Sequence, residues 1–229
     1  MTITEHVTRS DRAAPRAAGV LILSGVVLYI LPSILHGNPP IDDAAATLEY
    51  VSDASGWRIM HLVNILAVVL WVIALALLRA LPELPGPLSR ATGSVWAVAA
   101  GVFGVYFGIH AIGLSTAADQ YLSGAVDQTA VVERTEALLL VLGSTAFVAQ
   151  ALLGLAVALT GLLLARAEIG SRVFGAIGVV IGVGWTLGAV MINFAVIVPF
   201  TALAWAWLVV LGVCLCMNRL PFRAGLAAR

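Results

Sequence analysis

Three histidines sit where so apolar a chain gains nothing in packing from an ionisable group. His36 closes the first apolar run, His61 lies about one turn into the second, and His110 lies about two turns before the end of the third. At a helical rise of about 1.5 Å per residue, all three fall within roughly 10 Å of one membrane surface. Ionisable groups at such depth usually mark a site. Three converging imidazoles can hold Zn or Cu, with Asp42, Asp43 or a water as fourth ligand. His61 and His110 alone can ligate a haem b axially. Neither HxxxH nor HExxH spacing occurs. The same residues also suit interfacial histidines bonded to backbone, Asn64, Tyr106 or loop carboxylates.

A second set surrounds them in the stretch Ser55 to Trp71. Trp57, His61, Asn64, Val68 and Trp71 recur at helical spacing and form one stripe. Trp57, Arg58, Asn64 and Tyr106 are the candidate ligand-binding residues. Arg58 can pair with Asp53 or Glu49, hold an anionic headgroup, or snorkel as an interfacial anchor. Tyr106 stands four residues before His110, on its face, and can fix that ring. No catalytic residue is assigned. Glu133-Arg134-Thr135-Glu136 reads as a solvated helix N-terminus rather than an acid–base pair. Cys214 and Cys216 point apart on a helix and form no CxxC site.

The elements that position these residues are membrane helices. The chain is 61% hydrophobic and 10% charged, with a mean hydropathy of +1.04; a soluble domain carries about 25% charged residues. A net charge of zero without a basic block excludes nucleic acid as a partner. All 12 basic residues are arginine, which excludes a lysine Schiff base and a P-loop lysine. Six spans are predicted at about 17–35, 58–81, 90–116, 136–165, 172–198 and 200–218, each near or above the ~20 residues that cross the hydrocarbon. Residues 1–16 and 219–229 are predicted as cytoplasmic tails around an all-α, six-helix transmembrane domain, 17–218. Ten arginines against two fix that orientation.

Asp42 or Asp43 should cap a short helix over Ala44 to Val51, with Leu48 and Val51 packed on the bundle mouth. A polar loop is expected over Ala117 to Thr135, and a tight turn at Val198-Pro199-Phe200. The polar residues at mid-depth are few: Ser24, Ser144, Thr145, Gln150, Thr160, Thr186 and Asn193. None is a carboxylate or arginine, which argues against an ion-coupled pathway. Glycines line the third span (Gly101, Gly104, Gly108) and the fifth (Gly175, Gly178, Gly182, Gly184, Gly188). Such faces serve close packing inside the bundle, or a homodimer or other membrane subunits.

His36 with Pro39-Pro40, the Asp/Ala/Leu helix, Ser55-Gly56-Trp57-Arg58-Ile59-Met60-His61, and Leu162 to Arg166 leading to Ser171-Arg172-Val173-Phe174-Gly175 form an ordered set. Over about 17–218, that set resembles uncharacterised six-helix integral membrane proteins of actinobacterial and other bacterial type, a family of unknown function. The resemblance implies a bacterial plasma-membrane location and a six-helix bundle, and it implies no activity. The reading reached from sequence is a non-enzymatic ligand-binding or accessory membrane subunit with a polar outer mouth. The alternatives are a metal- or haem-binding protein using the outer histidines, and a small exporter or lipid-handling protein.

Overall fold

The computed structural model describes residues 13–81, 84, 86–167 and 172–217. The expected tails therefore lie outside the described residues, except for Ala13 to Arg16, which are already helical. Among the described residues the chain is helical apart from short turns and connections, without strand. The helices are α1 (Ala13–Leu35), α2 (Ala44–Asp53), α3 (Trp57–Arg79), α4 (Pro87–Gly108), a π-helical segment (Ile109–Leu114), α5 (Ser115–Ser123), α6 (Gln128–Arg166), α7 (Arg172–Val190) and α8 (Phe194–Cys216). Six of the resulting rods are long and apolar enough to cross a membrane. The protein is an integral, multi-pass membrane bundle.

The six spans form a closed ring. Each packs on the next in sequence, and α8 returns to α1. Six tryptophans mark the six seams. Trp71 Nε1 donates to the Ile22 carbonyl (3.3 Å, α3 to α1), Trp96 to Thr160 Oγ1 (2.9 Å, α4 to α6) and Trp185 to Gln150 Oε1 (2.7 Å, α7 to α6). Trp207 donates to the Phe174 carbonyl (3.1 Å, α8 to α7), and Trp57 to the His110 carbonyl (2.8 Å, α3 to the π segment). Trp205 packs at a 59° tilt on Tyr29 at the α8–α1 seam, with centroids 5.5 Å apart, and is the one indole here whose Nε1 is buried without a partner among the described residues. Where water is scarce, an unpaired indole N–H is costly, so these bonds pin neighbouring helices in register. Gln150 and Thr160 are thereby consumed as seam acceptors. Thr186 bonds the Ala151 and Gly182 carbonyls. None of these three lines a polar path.

The α6–α7 seam is the tightest. A Cβ at Gly161 would lie 2.6 Å from the Gly175 carbonyl oxygen, and one at Gly154 would lie 2.7 Å from the Thr186 nitrogen. Gly175, Gly178 and Gly182 are consumed there, while Gly184 and Gly188 face Phe200 and Val196 of α8. On α4, by contrast, Gly101, Gly104 and Gly108 meet nothing within 4 Å.

Three expectations are corrected. The third span does not stop near residue 116. It continues unbroken to Ser123, and α6 begins at Gln128 under an Asp127 cap (Oδ1 to Thr129 N, 3.1 Å). The expected polar loop shrinks to a turn around Gly124, whose left-handed backbone (φ 62) ends the helix. Second, the hairpin between α7 and α8 closes at Met191-Ile192-Asn193 rather than at Pro199. Asn193 Oδ1 caps Ala195 N at 3.0 Å, so α8 is already started when Pro199 arrives. Its missing N–H is tolerated within a membrane helix. Third, Asn193 is therefore a cap in that turn, not a mid-depth polar group.

The long rods show where the extra chain goes. Pro87–Ser123 spans 37 residues and α6 spans 39, against 19 for α7. At 1.5 Å per residue, α6 is about 58 Å long, nearly twice a ~30 Å hydrocarbon core. At the end marked by Arg79, Arg90, Arg166 and Arg172 only a few residues of sequence separate successive helices, so the excess projects at the other end. There α5, the start of α6 and α2 build a helical cap over Leu48, Val51, Trp57, Leu114, Ala118, Val131 and Leu142. This end is the mouth.

Candidate functional site: the imidazole cluster and the mouth cleft

Each side of the mouth is set by local sequence. Asp43 caps α2, with Oδ1 accepting from Ala46 N at 3.0 Å, and the Thr47 hydroxyl donates to the Pro40 carbonyl at 2.8 Å. That folds α2 back so that Leu48 and Val51 are buried in the cap, as their spacing predicts. Tyr50 Oη donates to the His36 carbonyl at 2.8 Å, tying α2 to the end of α1. Gly56 then takes a left-handed turn (φ 84) that only glycine adopts cheaply, and Trp57 begins α3.

The three histidines converge. The His36 and His61 ring centroids are 5.2 Å apart, and those of His61 and His110 are 4.7 Å apart. Trp57 covers the stack, 4.4 Å from His61 and 5.7 Å from both His36 and His110. His61 is 1% exposed and His110 is 8% exposed. His61 Nδ1 lies 2.8 Å from the Trp57 carbonyl. A carbonyl only accepts, so Nδ1 carries the proton and Nε2 keeps its lone pair. Nδ1 of His36 and of His110 are buried without a partner. Burial holds the His36 imidazole below its ordinary pKa.

His110 sits in the π-helical segment. The wider turn re-aims side chains and carbonyls, and such bulges collect at functional sites. Here it brings the His110 carbonyl under the Trp57 indole and lays the imidazole flat on His61. Tyr106 braces the far edge of His110 at 4.7 Å, as the i, i+4 spacing predicts. Asn64 is fully buried one turn below His61.

The stack governs what the histidines can hold. The His61 and His110 planes are 4° from parallel. Their in-plane lone pairs run side by side and do not meet at one ion as the rings stand. Rings stacked face to face at 4.7 Å also leave no room for a macrocycle between them. Among the described residues, no group of three or more His, Cys, Asp or Glu side chains is arranged to hold a metal.

Beside the closed stack lies an open cleft of about 330 Å³, lined by Val51 and Ser52 of α2, Trp57 and Arg58 of α3, and Ser115 and Asp119 of α5. Arg58 Nη2 lies 3.9 Å from Asp119 Oδ2 across it, with side chains 54% and 79% exposed. Where Arg58 takes a carboxylate partner it is Asp119, rather than Asp53 or Glu49. Of the candidate ligand residues, Trp57 and Arg58 line the cleft, Tyr106 supports the stack behind it, and Asn64 is buried below it. Asp119 was absent from the sequence-derived site. Its signal was the apolar spacing Leu114, Ala118, Tyr121, which continues the helix beyond residue 116 and carries Asp119 up beside Arg58.

Comparison of the chain with family models, with curated proteins and with solved structures gives no match. Function therefore rests on the geometry.

Proposed function

We propose that the protein is a non-enzymatic ligand-binding or accessory subunit of the bacterial plasma membrane, with the capped mouth as its working end. The observation that carries this is the open cleft bearing Trp57, Arg58 and Asp119 against a sealed imidazole stack. Elsewhere the polar side chains Gln150, Thr160 and Thr186 are consumed in helix seams. The arginine distribution supports an outward-facing mouth and cytoplasmic termini. For docking into a larger assembly, the open Gly101–Gly104–Gly108 face of α4 supports a partner helix or a second copy, because all the fifth-span glycines are already occupied. The test is a melting series in mild detergent against a panel of lipids and small charged compounds. A shift of several degrees that disappears in Arg58→Gln is expected. A panel without any shift, or a shift untouched by Arg58→Gln, contradicts the reading.

Metal or haem binding is the second reading. Its support is the convergence of His36, His61 and His110, with two unpartnered Nδ1 atoms. It requires His61 or His110 to rotate out of the parallel stack. Elemental analysis and an absorption spectrum decide it: one metal or one haem per chain, lost in the His61→Ala/His110→Ala double variant, establishes it.

A further inference from the structure

The mouth cleft has the charge pattern and the depth of a headgroup site. Its two ionic side chains have opposite signs and face each other at 3.9 Å, both well exposed. An exposed ion pair of that length is weak and opens readily to a ligand. A guanidinium matches a phosphate in bidentate fashion, and a carboxylate matches a primary ammonium. The buried Trp57 ring and Val51 give the cleft an apolar back wall.

Depth places it at a membrane surface. Arg58 and Arg79 bracket α3, 21 residues apart, or about 31 Å along the axis, which matches a hydrocarbon core of about 30 Å. With Arg79 at one boundary, Arg58 stands at headgroup level on the other. The next residue, Ile59, also lines the cleft and is 66% exposed. Below it Leu62, Leu66, Val69 and Ile73 continue an exposed apolar stripe along α3 at helical spacing. The cleft therefore opens onto a ready track for an acyl chain.

We infer that this cleft binds a zwitterion joining a phosphate to a primary ammonium, presented as a phosphatidylethanolamine headgroup, with phosphate on Arg58, ammonium on Asp119 and one acyl chain along the Ile59–Ile73 stripe. A site with Arg58 alone would favour purely anionic lipids; Asp119 turns the selection toward the ethanolamine headgroup. The inference rests on the ligand-binding reading above and names the class of ligand.

The test uses the full chain reconstituted with equal phosphatidylethanolamine and phosphatidylglycerol, then stripped in mild detergent, with retained lipid read by native mass spectrometry. Wild type should keep about one phosphatidylethanolamine per chain, at least fivefold over phosphatidylglycerol. Arg58→Gln should lose that lipid at least tenfold. Asp119→Asn should invert the preference toward phosphatidylglycerol. Both side chains are exposed, and an unchanged elution profile verifies each variant's fold. Soluble phosphoethanolamine is the second arm: a melting shift with it, without lipid selectivity, assigns the same chemistry to a soluble zwitterion and overturns the lipid source. Equal retention of both lipids, an unaltered ratio in Asp119→Asn and no effect of phosphoethanolamine overturn the site. If other panel compounds still shift the melting through Arg58, only the ligand class fails; if none does, the broader reading fails with it.

Discussion

The Trp57 indole donates to the backbone carbonyl of His110 at 2.8 Å, across 53 residues of sequence. This bond joins the start of α3 to the π-helical turn and seats the indole over the imidazole stack. Replacing Trp57 by Phe keeps most of the packing and leaves a buried carbonyl unpaired. A loss of about 1–3 kcal/mol is expected. Denaturant or thermal unfolding in detergent measures it, and a change below 0.5 kcal/mol would show the bond to be incidental.

The α2 lid should open separately from the bundle. Removing its cap with Asp43→Ala costs about 1 kcal/mol, so amides of residues 44–53 should exchange about fivefold faster while the α6–α7 seam is unchanged. Acceleration across all the helices would mean that the lid and bundle unfold as one unit.

Glycines of the two faces should respond differently to bulk. At Gly182 a Cβ meets the backbone of Gly154 and Ala158, so Gly182→Leu should destabilise by about 3 kcal/mol or more. At Gly104 nothing lies within 4 Å, and Gly104→Leu should leave the melting of the single chain unchanged. A change confined to its elution volume would locate a subunit contact on α4. Equal melting losses would refute the seam assignment.

Burial keeps His36 neutral in the folded protein at pH values where the unfolded chain already binds a proton there. The unfolded state then holds more protons, so stability falls as pH drops below about 6.5 and levels off below the folded value. His36→Gln should make the stability curve between pH 7 and 5 shallower. A curve of identical slope in the variant would remove His36 from the account of acid sensitivity.

Much of this architecture was legible because membrane burial imposes long apolar runs, and six runs give six helices. Asp43 and the Leu48/Val51 spacing also revealed α2 and the face it buries. The common depth of His36, His61 and His110 placed them in one layer. Depth carries no azimuth, however, and their stacking depends on the π-helical turn at Ile109–Leu114, whose sequence reads as ordinary helix. Pro199 misled because local breaker chemistry was weighed without the Asn193 cap that starts α8 five residues before Val198. Asp119 was missed because its surroundings are polar enough to read as loop, although α5 and α6 rise together beyond the membrane.

The most direct measurement is hydrogen exchange of the full chain with and without the compound that shifts its melting most. Protection confined to residues 44–59 and 109–123, and absent in Arg58→Gln, is the expected result. Protection elsewhere, or a melting shift without added protection at the mouth, would contradict a binding site in the Trp57–Arg58–Asp119 cleft.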